Sequence, residues 1–317
     1  GTIPAVLTGS QCSISGTSYI QDEAEAQPYK KYTVMIYLCG TDLEEGGSSE
    51  ATSDIINMLS SSYDMDQVNV LLCAGGTTQW KNQYMSKDGE DNCNNDDVRF
   101  NIYELNPSAV PDTIDKEEFR KIGYTDSEGN YHRRTPEEIN EVINAQTLKM
   151  LGSFDSINMG QDELLAGFVN LCTGYYPADH YGAILWNHGG GVNLGVCKSS
   201  HLEGTVKGTY IMTDELESAL ASTDLCRTGG KLAFVGFDAC LMGSTELAYN
   251  LSPYCDYMIG SSETTRGGWE YRDIFNEISM QSSTADEVDN EAISKKIVEL
   301  YQAGHTGDAE SIASIAC

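Results

Sequence analysis

The chain has 317 residues, 40% of them hydrophobic, enough to bury a full core in one large α/β domain or two ordinary ones. Its 48 acidic against 19 basic residues leave a net charge of −29. Such a surface repels nucleic acid and anionic membranes, keeps the protein soluble and steers cationic ligands towards it. No stretch approaches the run of about eighteen apolar residues that a membrane-spanning helix needs.

Residues 1–29 are rich in Ser, Gln, Glu and Thr without periodicity, and read as an arm or linker ahead of a domain over 30–317. They carry no basic-then-apolar signal pattern and begin at Gly1 without Met, as expected of a mature or trimmed form. Tyr32 to Cys39 is a continuous apolar run closed by Gly40, the pattern of a strand buried on both faces of a parallel sheet. A helix is expected over 49–62, with Ile55, Ile56, Met58 and Leu59 inward, then a second buried strand from Val68 to Cys73. Strand, helix, strand is a βαβ unit. Asp42, just after the first strand, reads as a helix N-cap.

Residues 80–135 form a polar insertion, with a hairpin turn at Asp126 to Asn130 between Tyr124 and Tyr131. Its acidic stretch, Asp88 to Asp97, has the oxygen donors that Ca²⁺ prefers but not a regular ligand spacing, so a solvated acidic loop is expected and no cofactor is required. Helical periodicity returns over 136–151, opened by Thr135 and Pro136, and again over 161–174. A third buried strand runs from Tyr181 to Trp186 and a fourth from Lys231 to Phe237. A helix over 242–250, a short strand from Tyr257 to Gly260 and an amphipathic helix over 286–303 complete the pattern. The expected fold is an α/β/α sandwich with a mostly parallel central sheet and a polar insertion.

Ligands gather beyond the carboxyl ends of strands in open parallel sheets. The third strand ends in Trp186-Asn187-His188 followed by Gly189, Gly190 and Gly191; the fourth ends in Asp238-Ala239-Cys240. If these strands are neighbours, His188 and Cys240 face one gap. A thiol with an ordinary pKa near 8.5 is mostly protonated at neutral pH, and a nearby imidazole both activates it and later protonates a leaving amine. Glycine beside the base allows close substrate approach and offers N–H groups to an oxyanion. Placing Cys240 at a helix start adds the helix dipole in favour of thiolate. The glycines are not a phosphate loop, since no Lys-Ser/Thr follows. Blander readings are a core histidine, a buried structural thiol and an N-cap role for Asp238. A rival metal set would combine His188, Cys197, His201 and Cys226 at irregular spacing.

Four stretches in order resemble the clostripain family of caspase-like cysteine peptidases: Tyr32 to Leu38 with Asp42-Leu43-Glu44, Trp186 to Gly191, Asp238 to Met242, and Ser262-Glu263 with Gly268 to Tyr271. The 52-residue separation of His188 and Cys240 matches the roughly 50 expected of caspase-like enzymes. The resemblance implies a caspase-like three-layer fold, His188 as general base and acid, and Cys240 as nucleophile, with the N–H groups of Gly189 and Cys240 as oxyanion donors. It implies further that Asp238 lines the pocket for the first substrate residue, so that polypeptides are cut after Arg or Lys. The segment Ser261 to Trp269, with Ser262, Glu263 and Trp269, would supply another wall. Self-processing in the His–Cys linker, after Lys198 or Lys207, secretion or surface exposure, and a monomeric state are also expected, with Cys317 marking a truncation or cleavage point. The alternatives are a catalytically silent binding protein on the same scaffold, or a peptidase of different first-position specificity.

Overall fold

The computed structural model describes residues 19–20, 27–45, 47, 49–77, 79–85, 99–155, 158–198, 210–284, 287–305 and 314–316. Five parallel strands form its centre, in the order β3 (Val68–Gly75), β2 (Lys30–Cys39), β8 (Ala178–Trp186), β9 (Leu232–Asp238) and β10 (Cys255–Ser261). Antiparallel strands extend it at both edges: β4 (Arg99–Leu105), β7 (Leu148–Asp155) and the short β1 (Tyr19–Ile20) beyond β3, and β11 (Ser314–Ala316) beyond β10. The central strands are apolar throughout because both of their faces are covered. Along β2, Val34, Ile36 and Leu38 enter one core while Met35, Tyr37 and Cys39 enter the other, which is the two-residue period of a strand between two layers.

The first core lies under α2 (Glu50–Leu59), α9 (Tyr271–Thr284) and α10 (Asn290–Gly304). The second lies under α4 (Asp162–Tyr175), α6 (Thr213–Ser222) and α8 (Thr245–Leu251). The result is the expected α/β/α sandwich. The polar insertion holds the expected hairpin, β5 (Gly123–Thr125) with β6 (Tyr131–Arg133), its turn closed by Asp126 Oδ1 accepting from the N–H groups of Glu128 and Asn130. The acidic stretch Asp88 to Asp97 lies outside the described residues.

Two expectations are corrected. The helix expected over 136–151 starts as read, with a Thr135/Glu138 capping box around Pro136, but α3 ends at Val142. Thr147 Oγ1 donates to the Val142 carbonyl at 2.6 Å, and the Asn144 side chain accepts from the N–H of Gln146 at 2.9 Å. These local bonds compete with helical ones and turn the chain into β7. The helix expected from residue 242 begins only at Thr245, with Ser244 as its N-cap. Residues 19–20, within the segment read as an arm or linker, pair with Ser153 and Gly152 at the sheet edge. Helices α6 and α9 had no counterpart in the sequence reading.

Seven cysteines fall within the described residues and all are free thiols. Cys39, Cys73, Cys172, Cys197 and Cys255 are buried, and burial raises each thiol, that of Cys255 to about 12. They are inert packing groups, whereas Cys240 is partly open to solvent. Among the described residues no helix is long and apolar enough to cross a membrane.

Candidate active site

The chain leaves β2 towards β3 on one side, while β8, β9 and β10 extend the sheet on the other. The loops after β2 and β8 therefore diverge, opening a crevice at the carboxyl ends of the strands. Asn187 stitches the two loops together: its Nδ2 donates to the Cys39 carbonyl at 2.6 Å and to Thr41 Oγ1 at 3.0 Å. Thr41, at φ +43°, starts α1 (Thr41–Glu45) and donates its hydroxyl to Asp42 Oδ1 at 3.0 Å. His188 Nε2 then meets both oxygens of Asp42, at 3.0 and 3.2 Å. Burial opposes ionisation of Asp42, but the hydrogen bond and charge of His188, with the Thr41 hydroxyl, outweigh it and hold the carboxyl below its ordinary range. An ionised carboxylate only accepts, so it selects the tautomer with the proton on Nε2 and leaves Nδ1 as the basic nitrogen.

Cys240 follows β9 in a tight turn. Leu241 takes φ +63° there, and its N–H reaches the Glu263 carbonyl at 3.0 Å, while the Gly243 N–H reaches the Ser261 carbonyl at 2.7 Å. These bonds tie the turn to the end of β10. Because α8 starts five residues later, the helix dipole expected at Cys240 is absent. Thr265 supplies the local polarity instead: its N–H donates to Cys240 Sγ at 3.2 Å and its hydroxyl lies 3.5 Å from the sulfur. Gly189 passes so close to this turn that a Cβ on it would collide with the Cys240 carbonyl. Among the described residues, neither the Gly189 nor the Cys240 N–H has a hydrogen-bond acceptor.

Between these loops lies a cleft of about 240 Å³, lined by His188, Cys240 and Asp238 together with Glu50, Asp54 and Thr265. Asp238 is 6% exposed; its Oδ2 accepts from the Tyr271 hydroxyl at 2.8 Å and the Trp269 N–H at 3.1 Å. Burial nevertheless pushes its carboxyl up to about 7. Asp54, 7% exposed, accepts from Trp186 Nε1 at 2.7 Å, and burial, then the charge of Asp238, raise it well above its ordinary value. Among the described residues neither carboxylate has a basic ion-pair partner.

The clostripain family model matches residues 36–317, which is most of the chain. The chain belongs to the clostripain family. It is 31% identical over 147 residues to the clostripain of Hathewaya histolytica, a match covering 42% of this chain and 27% of that protein. Among solved structures it resembles a secreted C11 cysteine protease from Bacteroides thetaiotaomicron, determined in complex with an irreversible peptide inhibitor. That match has 20% identity, covers 88% of this chain and 59% of the other, and has a TM-score of 0.54. An inactive zymogen C11 protease from Parabacteroides distasonis matches at 19% identity, 89% and 61% coverage, and a TM-score of 0.52. The chain thus spans about a quarter of the length of the curated relative and about three-fifths of these solved ones. Their likeness shows the caspase-like α/β/α fold.

On this clostripain-family fold, the site unites three of the residues read from the sequence, His188, Cys240 and Asp238, with Gly189 beside them. The segment expected as a second wall lines the cleft through Thr265, Gly267 and Gly268. Ser262 and Glu263 are exposed and do not line the cleft, and the Trp269 side chain is buried against Gly236 of β9, contributing only its N–H to Asp238. The Lys198 carbonyl accepts from the Cys39 thiol at 3.3 Å; Lys207 lies outside the described residues, as does His201 of the rival metal set. Among the described residues no three His, Cys, Asp or Glu side chains form a group able to hold a metal ion. Asp42, read as an N-cap, is instead the partner of His188. Asp54 and Glu50 went unread, although two acids four apart on a helix beside Ile55 and Ile56 were a signal for a charged stripe next to the core.

Proposed function

We propose that this chain is the catalytic core of a cysteine endopeptidase that cuts polypeptides after Arg or Lys. The observation that carries the reading is the shared cleft, in which a half-open thiol, an imidazole and buried carboxylates without a cationic partner line one small space. In this mechanism His188 takes the proton of Cys240, and the thiolate attacks the carbonyl carbon of the bond to be cut. The N–H groups of Gly189 and Cys240 receive the oxyanion. His188 returns its proton to the departing amine, leaving a thioester. A water molecule, deprotonated by His188, then releases the acid and restores the thiol. Asp42 keeps the imidazole in the tautomer these steps need.

The basic side chain before the cut bond enters beside Asp238. A carboxylate in so dry a place is stabilised strongly by a guanidinium or ammonium and rejects an acidic side chain. The net charge of −29 adds long-range attraction for basic segments. We read the protein as secreted or displayed at the surface, acting as a monomer and cut in its own linker after Lys198 or Lys207.

The test uses the full chain and its Cys240→Ala variant on fluorogenic peptides ending in Arg, Lys or Asp, with intact mass recorded for both proteins. The expected result is turnover of the basic peptides, lost by at least about 1,000-fold in the variant, with linker cleavage in the wild type alone. No turnover by either protein would favour the silent binding scaffold. Cleavage after Asp would overturn the pocket assignment, and identical single chains would overturn self-processing.

A further inference from the structure

Asp238 is not the only carboxylate at the foot of the cleft. Asp54 reaches it from α2, on the same face of the sheet as Tyr271 of α9, and is equally buried. Each acid has one oxygen held by a fixed internal donor. Trp186 Nε1 holds Asp54 Oδ2; Tyr271 and the Trp269 N–H hold Asp238 Oδ2. Among the described residues Oδ1 of neither acid has a donor. Gly268 packs so tightly on Asp54 that a Cβ there would collide with the carboxylate, so this wall is shaped around the acid. Glu50, one helical turn earlier on α2, adds a third negative charge at the cleft.

Two carboxylates from separate elements that line the same small space, each with one oxygen lacking a donor, repel one another once both are ionised, and a cation between them relieves that repulsion. We propose that Asp54 is a second specificity-determining residue, which with Asp238 grips one cationic side chain and sets the choice of arginine over lysine before the cut bond. This rests on the reading that the cleft takes a basic side chain. A guanidinium carries five N–H donors in a rigid plane, so it can serve two acids at once and is weakly hydrated. An ammonium is a compact, strongly hydrated point charge, which satisfies one acid well at the expense of the other.

The experiment measures kcat/KM of the full chain on two peptides that differ only in Arg or Lys at the cut position, for wild type, Asp54→Asn and Gly268→Ala. Circular dichroism and the urea midpoint show whether each variant is folded. Wild type is expected to favour Arg by tenfold or more, following the loss of a charge-assisted pair. Asp54→Asn should lower the Arg rate by about 100-fold and the Lys rate by about tenfold, bringing the ratio near one. Gly268→Ala displaces the carboxylate without removing it, and should shift the ratio the same way, so it decides the matter if Asp54→Asn does not fold. A wild type indifferent between the two, or a folded variant that keeps the wild-type ratio within about twofold, overturns the role of Asp54 and leaves the peptidase reading standing. Failure of wild type to cut after either residue overturns that reading itself.

Discussion

Asp42 is a residue whose role depends on a partner 146 positions away. From sequence it is an acid at a helix start, where capping is the ordinary explanation. In the folded chain its carboxylate holds the His188 ring, because Asn187 pins the loop after β8 against the loop after β2. His188, Cys240 and Asp238 were legible because each follows directly on an apolar run, so strand-end placement alone brings them together. Thr265 gave no such signal; its contact with Cys240 depends on how the loop after β10 returns over the turn. If Asp42 orients the imidazole, Asp42→Asn should lower kcat by about 10- to 100-fold and change KM by less than about twofold, with part of the loss recovered in Asp42→Glu. A loss confined to KM would place Asp42 in substrate binding instead.

At the scale of elements, the strands were the legible part, because a segment buried on both faces must be apolar throughout. Helix limits were less so. Nothing in periodicity announces that Thr147 and Asn144 will take over the hydrogen bonds that would have continued α3. Helix α9 escaped notice because its buried Ile274, Phe275 and Ile278 are diluted by nine polar neighbours in a fourteen-residue helix. The junction of α1 and α2 rests on Glu44, a fully buried acid that accepts from the Thr52 N–H at 2.9 Å, the Thr52 hydroxyl at 2.6 Å and the Lys81 N–H at 2.8 Å. This junction positions the helix that carries Glu50 and Asp54. Glu44→Ala strands three donors and should destabilise the fold by about 3 kcal/mol, with the loss of roughly one kcal/mol per donor. Glu44→Gln keeps the shape and most acceptor capacity and should cost less than about 1 kcal/mol, both read from urea midpoints. Equal losses in the two variants would show that charge, not hydrogen bonding, holds the junction.

For the whole molecule, the buried acids and the net charge act in the same direction. Burial pushes Glu44 and Asp238 each up to about 7, and raises Asp54 through burial and its neighbour Asp238. The charged or titratable groups acting on Asp54 are Asp238 from β9, Glu50 from its own helix and Lys121 from the insertion, while Tyr271 of α9 bonds to Asp238. In an unfolded chain these acids titrate near 4. Between about 4 and about 7 the folded state therefore holds more protons than the unfolded one, so unfolding releases protons and stability falls as pH rises. The contribution is fully present below about 4 and lost by the time pH has passed about 7. Surface carboxylates ionise over the lower part of the same range, and self-repulsion grows towards the net charge of −29. Calorimetric scans should thus give a Tm near pH 5 that is higher than the Tm at pH 7.5 by about 5 °C or more. Glu44→Gln should flatten this slope, because its side chain cannot ionise. Added salt should recover only the part due to surface repulsion, since buried groups are poorly screened. Benzamidine, whose amidinium suits the two-acid cleft, should raise Tm at pH 7.5 more than at pH 5, because the acids it pairs with are ionised only at the higher pH. A Tm that climbs between pH 5 and 7.5 in the absence of ligand would show that these carboxylates are already ionised and paired in the empty fold.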